Sequence, residues 1–163
     1  PTPPEDRTVS RPMDPKTRCD VRVESSVTVP VGAEVVAPYV ANLDRYPGWM
    51  PMIHSVVPDG PSAWVVELRA KVGPFARSKR IRMQRTRADE ARGYTFVRAE
   101  TDGRMHAPWE LTVDLVAEDG ATVVDVVMEY RGGLWTGGVL DRVLAHQIEE
   151  GRRRLADAVV QRA

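Results

Sequence analysis

The chain has 163 residues, 42 % hydrophobic and 28 % charged, with 23 basic against 23 acidic side chains. That is enough for one domain with a real hydrophobic core, and the zero net charge supplies no global field for nucleic acid or an anionic membrane. A single cysteine, Cys19, excludes an internal disulfide, and Cys19, His54, His106 and His146 lack metal-ligand spacing, so no metal is expected.

No apolar run approaches the roughly 18 residues of a transmembrane helix, and no signal-peptide core is present. A cytoplasmic protein is the expectation. Residues 1–17 (PTPPEDRTVSRPMDPKT) hold five prolines and few apolar side chains, which reads as a flexible arm ahead of one domain over 18–163. Val21, Val23, Val27 and Val29 alternate with polar neighbours, the pattern of a half-buried strand ended by Pro30. GAEVVAPYVANL then carries a short helical pattern that Pro38 should kink or delay. DRYPGWMPM follows as a second short helical turn or loop carrying a bulky apolar plug around Trp49 and Met50.

Six strand patterns come next. IHSVV ends at a Pro-Asp-Gly-Pro turn, and SAWVVELRAKV places Trp64, Val66, Leu68, Ala70 and Val72 on one face. After Gly73-Pro74-Phe75, SKRIRMQRTR puts Ile81 and Met83 on one face with Arg85 next in line. YTFVRAE does the same with Tyr94, Phe96 and Arg98. MHAPWELTVDLVAE aligns Met105, Ala107, Trp109, Leu111, Val113 and Leu115, and after Asp119-Gly120, TVVDVVMEY turns Thr122, Val124, Val126, Met128 and Tyr130 inward. Each strand has one apolar and one charged face, which argues an antiparallel sheet with one side in water.

The last segment, Leu134 to Ala163, predicts a long amphipathic helix of roughly 35–40 Å. Leu140, Leu144, Gln147, Gly151, Leu155 and Ala158 form its apolar stripe, flanked by Val143, Ile148 and Val159. Gly151 and Gln147 are unusual there. Either the glycine admits a close backbone approach and the amide is satisfied in the core, or this face looks onto a cavity. The helix is the one element long enough to cover the apolar side of the sheet. The expected fold is α+β: a curved antiparallel sheet of six to seven strands wrapped around a long C-terminal helix, with two short helical segments after the first strand.

This order is that of the helix-grip fold, and the sequence resembles the START-like (SRPBCC) superfamily. VANLDRYPGWMPMIHSV (Val40 to Val56) resembles its opening after the first helix. The Trp64 strand, ATVVDVVMEY and the final Gly-Gly-plus-helix segment look like the polyketide cyclase/dehydrase and coenzyme Q-binding branches. LRAKVGPF (Leu68 to Phe75) is similar to a segment of a superfamily branch associated with carbon monoxide dehydrogenase. Asn42 stands where an Asp is common, and Pro38 interrupts the first helix. The resemblance implies a cavity between sheet and helix, and so favours the cavity reading of Gln147 and Gly151.

No G-x-S-x-G, no Cys with a suitably placed His and no phosphate-binding glycine loop is present. The basic run Arg77 to Arg87 has charges on both faces and no interleaved aromatics, so nucleic acid is not expected. The inward set remains. Trp64, Leu68, Met83, Phe96, Trp109 and Met128 would wall a ligand site, with Tyr130, Gln147 and Gly151 completing it. Phe75 and Trp135 would form its mouth, through which a ligand enters from a transient membrane or carrier contact. The first expectation is a binder or carrier of a small hydrophobic molecule (quinone-, lipid- or polyketide-like) with no cofactor. The second, from the resemblance, is a polyketide cyclase or dehydrase, in which Arg85 would polarise a carbonyl and Tyr94 or Tyr130 would donate or relay a proton. An interaction module with a vestigial pocket is a third.

Overall fold

The computed structural model describes residues 20–72, 74–132 and 139–163. The arm over 1–17, Trp135 and the glycines at 133, 137 and 138 lie outside them. The strands are β1 (Asp20–Val29), β2 (Ile53–Pro58), β3 (Ala63–Val72), β4 (Phe75–Asp89), β5 (Gly93–Arg98), β6 (Trp109–Glu118) and β7 (Ala121–Arg131). They form one seven-stranded antiparallel sheet in the order β1-β7-β6-β5-β4-β3-β2. Among the described residues the helices are α1 (Ala33–Val40) and α2 (Val139–Gln161), with a 3-10 turn at Leu43–Gly48 after α1. This is the helix-grip architecture.

Local chemistry explains the connections. Asp119 and Gly120 both take positive φ, 41° and 84°, as the two-residue turn joining β6 to β7 requires. Gly93, at φ 122°, opens β5 where a Cβ would fall 1.9 Å from the Val113 carbonyl oxygen, so no larger residue fits. Because β1 and β2 lie at opposite edges of the sheet, α1 and the 3-10 turn must carry the chain across. They bring Leu43, Tyr46, Trp49 and Met50 into the core as the expected plug.

Helix α2 packs chiefly on β1 and also meets α1 and β3. Its buried line runs Leu144, Ile148, Gly151, Leu155 and Val159. That is rotated slightly from the stripe read in the sequence, which leaves Gln147 and Ala158 half-buried on one flank. On one side Arg152 donates to the Ser26 carbonyl of β1, and on the other the Tyr39 hydroxyl of α1 donates to the Ala158 carbonyl, at 3.0 and 3.2 Å.

One expected strand starts later than its alternation implied. β6 begins at Trp109, and residues 99–108 form a loop in which Met105 is fully exposed (102 %) rather than inward. Pro108 has no N–H to give a ladder, although its carbonyl still accepts from Arg131 N at 3.1 Å.

Candidate ligand site on the concave face

Strand register gathers most of the nominated side chains. Tyr130 pairs with Trp109, Met83 with Arg98, and Trp64 with Met83. Trp109 and Arg98 stand one step beyond the Val97–Glu110 pair, so a single row crosses five strands as Tyr130, Trp109, Arg98, Met83 and Trp64. The next row holds Met128, Leu111, Phe96 and Arg85. Period-two alternation puts these residues on one face, and antiparallel pairing aligns them.

The aromatic members are packed together. Trp109 and Tyr130 lie 4.7 Å apart between ring centroids. Phe96, fully buried, sits between Trp64 at 5.8 Å and Tyr46 at 5.9 Å, so the plug from the 3-10 turn seals this side of the row. Gly132 has no Cβ because one would lie 2.2 Å from the Tyr130 hydroxyl oxygen. One polar atom is left over. Trp109 Nε1 is buried without an acceptor among the described residues, although the whole residue is only 9 % exposed. A buried N–H with no partner costs stability and marks a place where an acceptor belongs.

Beside it Arg98 has a side chain only 6 % exposed. Its Nε donates to Glu100 Oε1 at 2.8 Å and one Nη to the Ala107 carbonyl at 3.3 Å. The other Nη lies 3.1 Å from His106 Nδ1. Guanidinium can only donate, so Nδ1 accepts, and the imidazole proton is on Nε2, 2.8 Å from Asp102 Oδ2. Asp102 is held below the usual carboxylate range by the Arg104 backbone N–H and by His106. The result is a hydrogen-bonded polar chain, Glu100–Arg98–His106–Asp102, with its arginine in the middle of an otherwise apolar row. The Arg98 face was legible from its alternation with Tyr94 and Phe96. Its partners were not, because 105–108 reads as the start of a strand and His106 as an isolated residue.

The other nominated residues are distributed around this row. Arg85 is on the concave face, but its guanidinium donates to the Ala41 carbonyl (2.6 Å) and Asn42 Oδ1 (2.9 Å) and lies 5.7 Å from the Trp64 ring centre. It caps the end of α1. Tyr94 is buried one row further on, its hydroxyl pushed up by desolvation and by Glu90, against the opposing effect of Arg85. Leu68 is half-buried opposite Lys79. A Cβ on Gly151 would stand 3.4 Å from the Trp49 carbonyl oxygen and 3.6 Å from Met50 Cα, so this glycine abuts backbone. Phe75 stands 70 % exposed at the end of the β3–β4 hairpin.

A separate open groove of about 380 Å³ runs between the α1 region and the end of α2, lined by Pro38, Tyr39, Arg45, Trp49, Ala158 and Arg162 among others. It contains none of the residues nominated from sequence, and it lies outside the concave face.

No curated protein matches the chain in sequence. Solved structures match in fold. The aromatase/cyclase ZhuI of Streptomyces sp. R1128 is 17 % identical with a TM-score of 0.64, covering 88 % of this chain and 95 % of that one. A START superfamily protein from Mycobacterium smegmatis is 15 % identical with a TM-score of 0.67, covering 87 % and 99 %. A conserved protein from Geobacillus kaustophilus is 14 % identical with a TM-score of 0.69, covering 86 % and 96 %. Residues 20–163 match the family described as polyketide cyclase/dehydrase and lipid transport. With the helix-grip sheet, the crossing plug and the match running over every described element, the chain belongs to that family.

Proposed function

We propose that this protein binds a small hydrophobic molecule bearing an oxygen acceptor, between the concave face of the sheet and α2. The observation that carries the reading is Trp109 Nε1, a buried donor with no acceptor among the described residues. It lies in a row of aromatic and thioether side chains next to a buried, charge-compensated arginine. Such a row offers apolar contact over most of a ligand and one directional hydrogen bond, the usual division of labour in small-molecule sites. A ketone, quinone or ester oxygen would supply what the indole lacks.

Two probes of one skeleton test this, a naphthoquinone and naphthalene. Trp109→Phe keeps an aromatic wall and deletes the N–H. Affinity for the naphthoquinone should fall about fivefold to tenfold, the value of one hydrogen bond, while naphthalene binding barely changes. Equal losses for both probes, or none for either, would overturn the proposal. Native mass spectrometry of the purified protein, with extracted small molecules identified, would name the natural ligand.

The second reading is a polyketide cyclase or dehydrase working at the same face. The Arg98–His106–Asp102 chain is the feature that favours it. Asp102 fixes the tautomer of His106 so that the Nδ1 lone pair faces Arg98. An enolate oxygen that drew the Arg98 guanidinium to itself would free that lone pair to take a proton. In this reading Arg98 and His106 take the roles that sequence gave to Arg85 and Tyr94.

A further inference from the structure

The end of the β3–β4 hairpin runs on past the rest of the sheet. β2 accompanies β3 only as far as Leu68, with one more hydrogen bond from Arg69 N to the Met52 carbonyl. β5 accompanies β4 only from Met83 onward, with one more from Ala99 N to the Arg82 carbonyl. Arg69–Val72 and Phe75–Ser78 therefore pair with each other alone. At about 3.3 Å per residue this two-stranded ribbon extends roughly 13 Å past its neighbours.

Its chemistry is one-sided. From Leu68 to Ala88 the chain has eight Lys and Arg and no Asp or Glu. Arg82, Arg85 and Arg87 are tied down in the body by Asp59, Asn42 and Asp114. Arg69, Lys71, Arg77, Lys79 and Arg80 belong to the hairpin and are exposed. Glu67 serves Arg69 at 3.6 Å and Arg80 at 3.9 Å, and Glu100 acts on Lys79. By register Arg77 and Lys79 lie on the concave face of the ribbon and Arg69, Lys71 and Arg80 on the convex face. Beyond all of them stands Phe75, 70 % exposed.

We propose that this hairpin docks end-on into the surface of an anionic lipid bilayer, with Phe75 entering the headgroup–acyl boundary and the basic side chains meeting lipid phosphates. An aromatic at a narrow tip with positive charge behind it suits a bilayer interface. An acidic protein partner fits the geometry less well. Protein docking uses one broad face, on the order of 800 Å² per partner, whereas here the charge is divided between both faces of a narrow ribbon. A planar surface approached end-on meets both at once. The neutral total charge does not oppose this, because screening confines the interaction to about 8 Å. The inference goes beyond the ligand reading and stands whatever the concave face binds.

Co-sedimentation of the full chain with phosphatidylcholine vesicles, with and without phosphatidylglycerol, is the test. Binding should require the anionic lipid and weaken as salt is raised. Phe75→Ala should weaken it about tenfold without moving the melting temperature. Lys71→Gln should weaken it about fivefold. In Phe75→Trp, brominated lipids should quench the added tryptophan. Failure to bind anionic vesicles, equal binding to neutral ones, or binding with an unquenched tip tryptophan would each overturn the proposal. Capture of an acidic protein without any vesicle binding would overturn it in favour of a protein partner.

Discussion

Gly151 shows how a single residue can be read correctly as unusual and still leave its cause open. A glycine on the apolar stripe of a helix costs about 1 kcal/mol relative to alanine, so something must favour it. The structure places backbone there, with Trp49 O at 3.4 Å and Met50 Cα at 3.6 Å from the missing Cβ. Those are ordinary contact distances, so one methyl fits and a branched side chain does not. Gly151→Ala should stabilise the protein by up to about 1 kcal/mol, raising the melting temperature by roughly 2–4 °C. Gly151→Leu should destabilise it by about 1–3 kcal/mol through overpacking. If Leu leaves the melting temperature alone and abolishes uptake of an apolar probe, the space beside Gly151 belongs to a ligand instead. Sequence could pose this choice but not decide it, because the neighbour is backbone about 100 residues away and no periodicity encodes it. Arg98 is the converse case. Its face followed from alternation alone, while Glu100, His106 and Asp102 became its partners only through the loop over 99–108, part of which reads as strand.

At the scale of elements, the strands were the most legible part, since two-residue alternation is set by covalent geometry and one face must be dry. Helix α1 was harder. It has only eight residues, with Pro38 inside and no side-chain hydrogen bond at its N-cap, so it owes its existence to what holds it from outside. Arg85 is one such holder, reaching from β4 to the Ala41 carbonyl and Asn42 Oδ1 and placing positive charge at the negative end of the helix. Its strand parity gave no hint of this, because parity gives a face and not the reach of a long side chain. Arg85→Met retains the aliphatic stem and removes these bonds together with the Trp64 contact. Stability should fall by about 1–3 kcal/mol, toward the lower figure for a half-exposed group, and the affinity for either naphthalene probe should stay within about twofold. Unchanged stability with a large loss of naphthoquinone binding would make Arg85 a ligand-contacting group.

For the molecule as a whole, the question is what locks the sheet layer to the helix layer. Trp49 is the joint. It is 2 % exposed, packs on Tyr46 at 4.5 Å, and donates from Nε1 to the Tyr39 carbonyl of α1 at 3.1 Å. Tyr46 in turn packs on Phe96 of β5 and donates to the Val40 carbonyl at 2.9 Å. Gly151 of α2 rests on the Trp49 backbone. Sheet, crossing segment and C-terminal helix are therefore linked through the Tyr46–Trp49 pair. Trp49→Ala should cost about 3–5 kcal/mol, the range for a large aromatic lost from a core. The mode of unfolding is the sharper expectation. If the layers are joined here, the variant should still unfold in one transition, with near-ultraviolet and far-ultraviolet circular dichroism falling together at a lower temperature. Phe75→Ala, at the exposed hairpin tip, should leave that temperature where it was. Two separated transitions in Trp49→Ala, tertiary signal first and helix later, would mean that α2 is held by β1 alone and that the plug does not couple the layers.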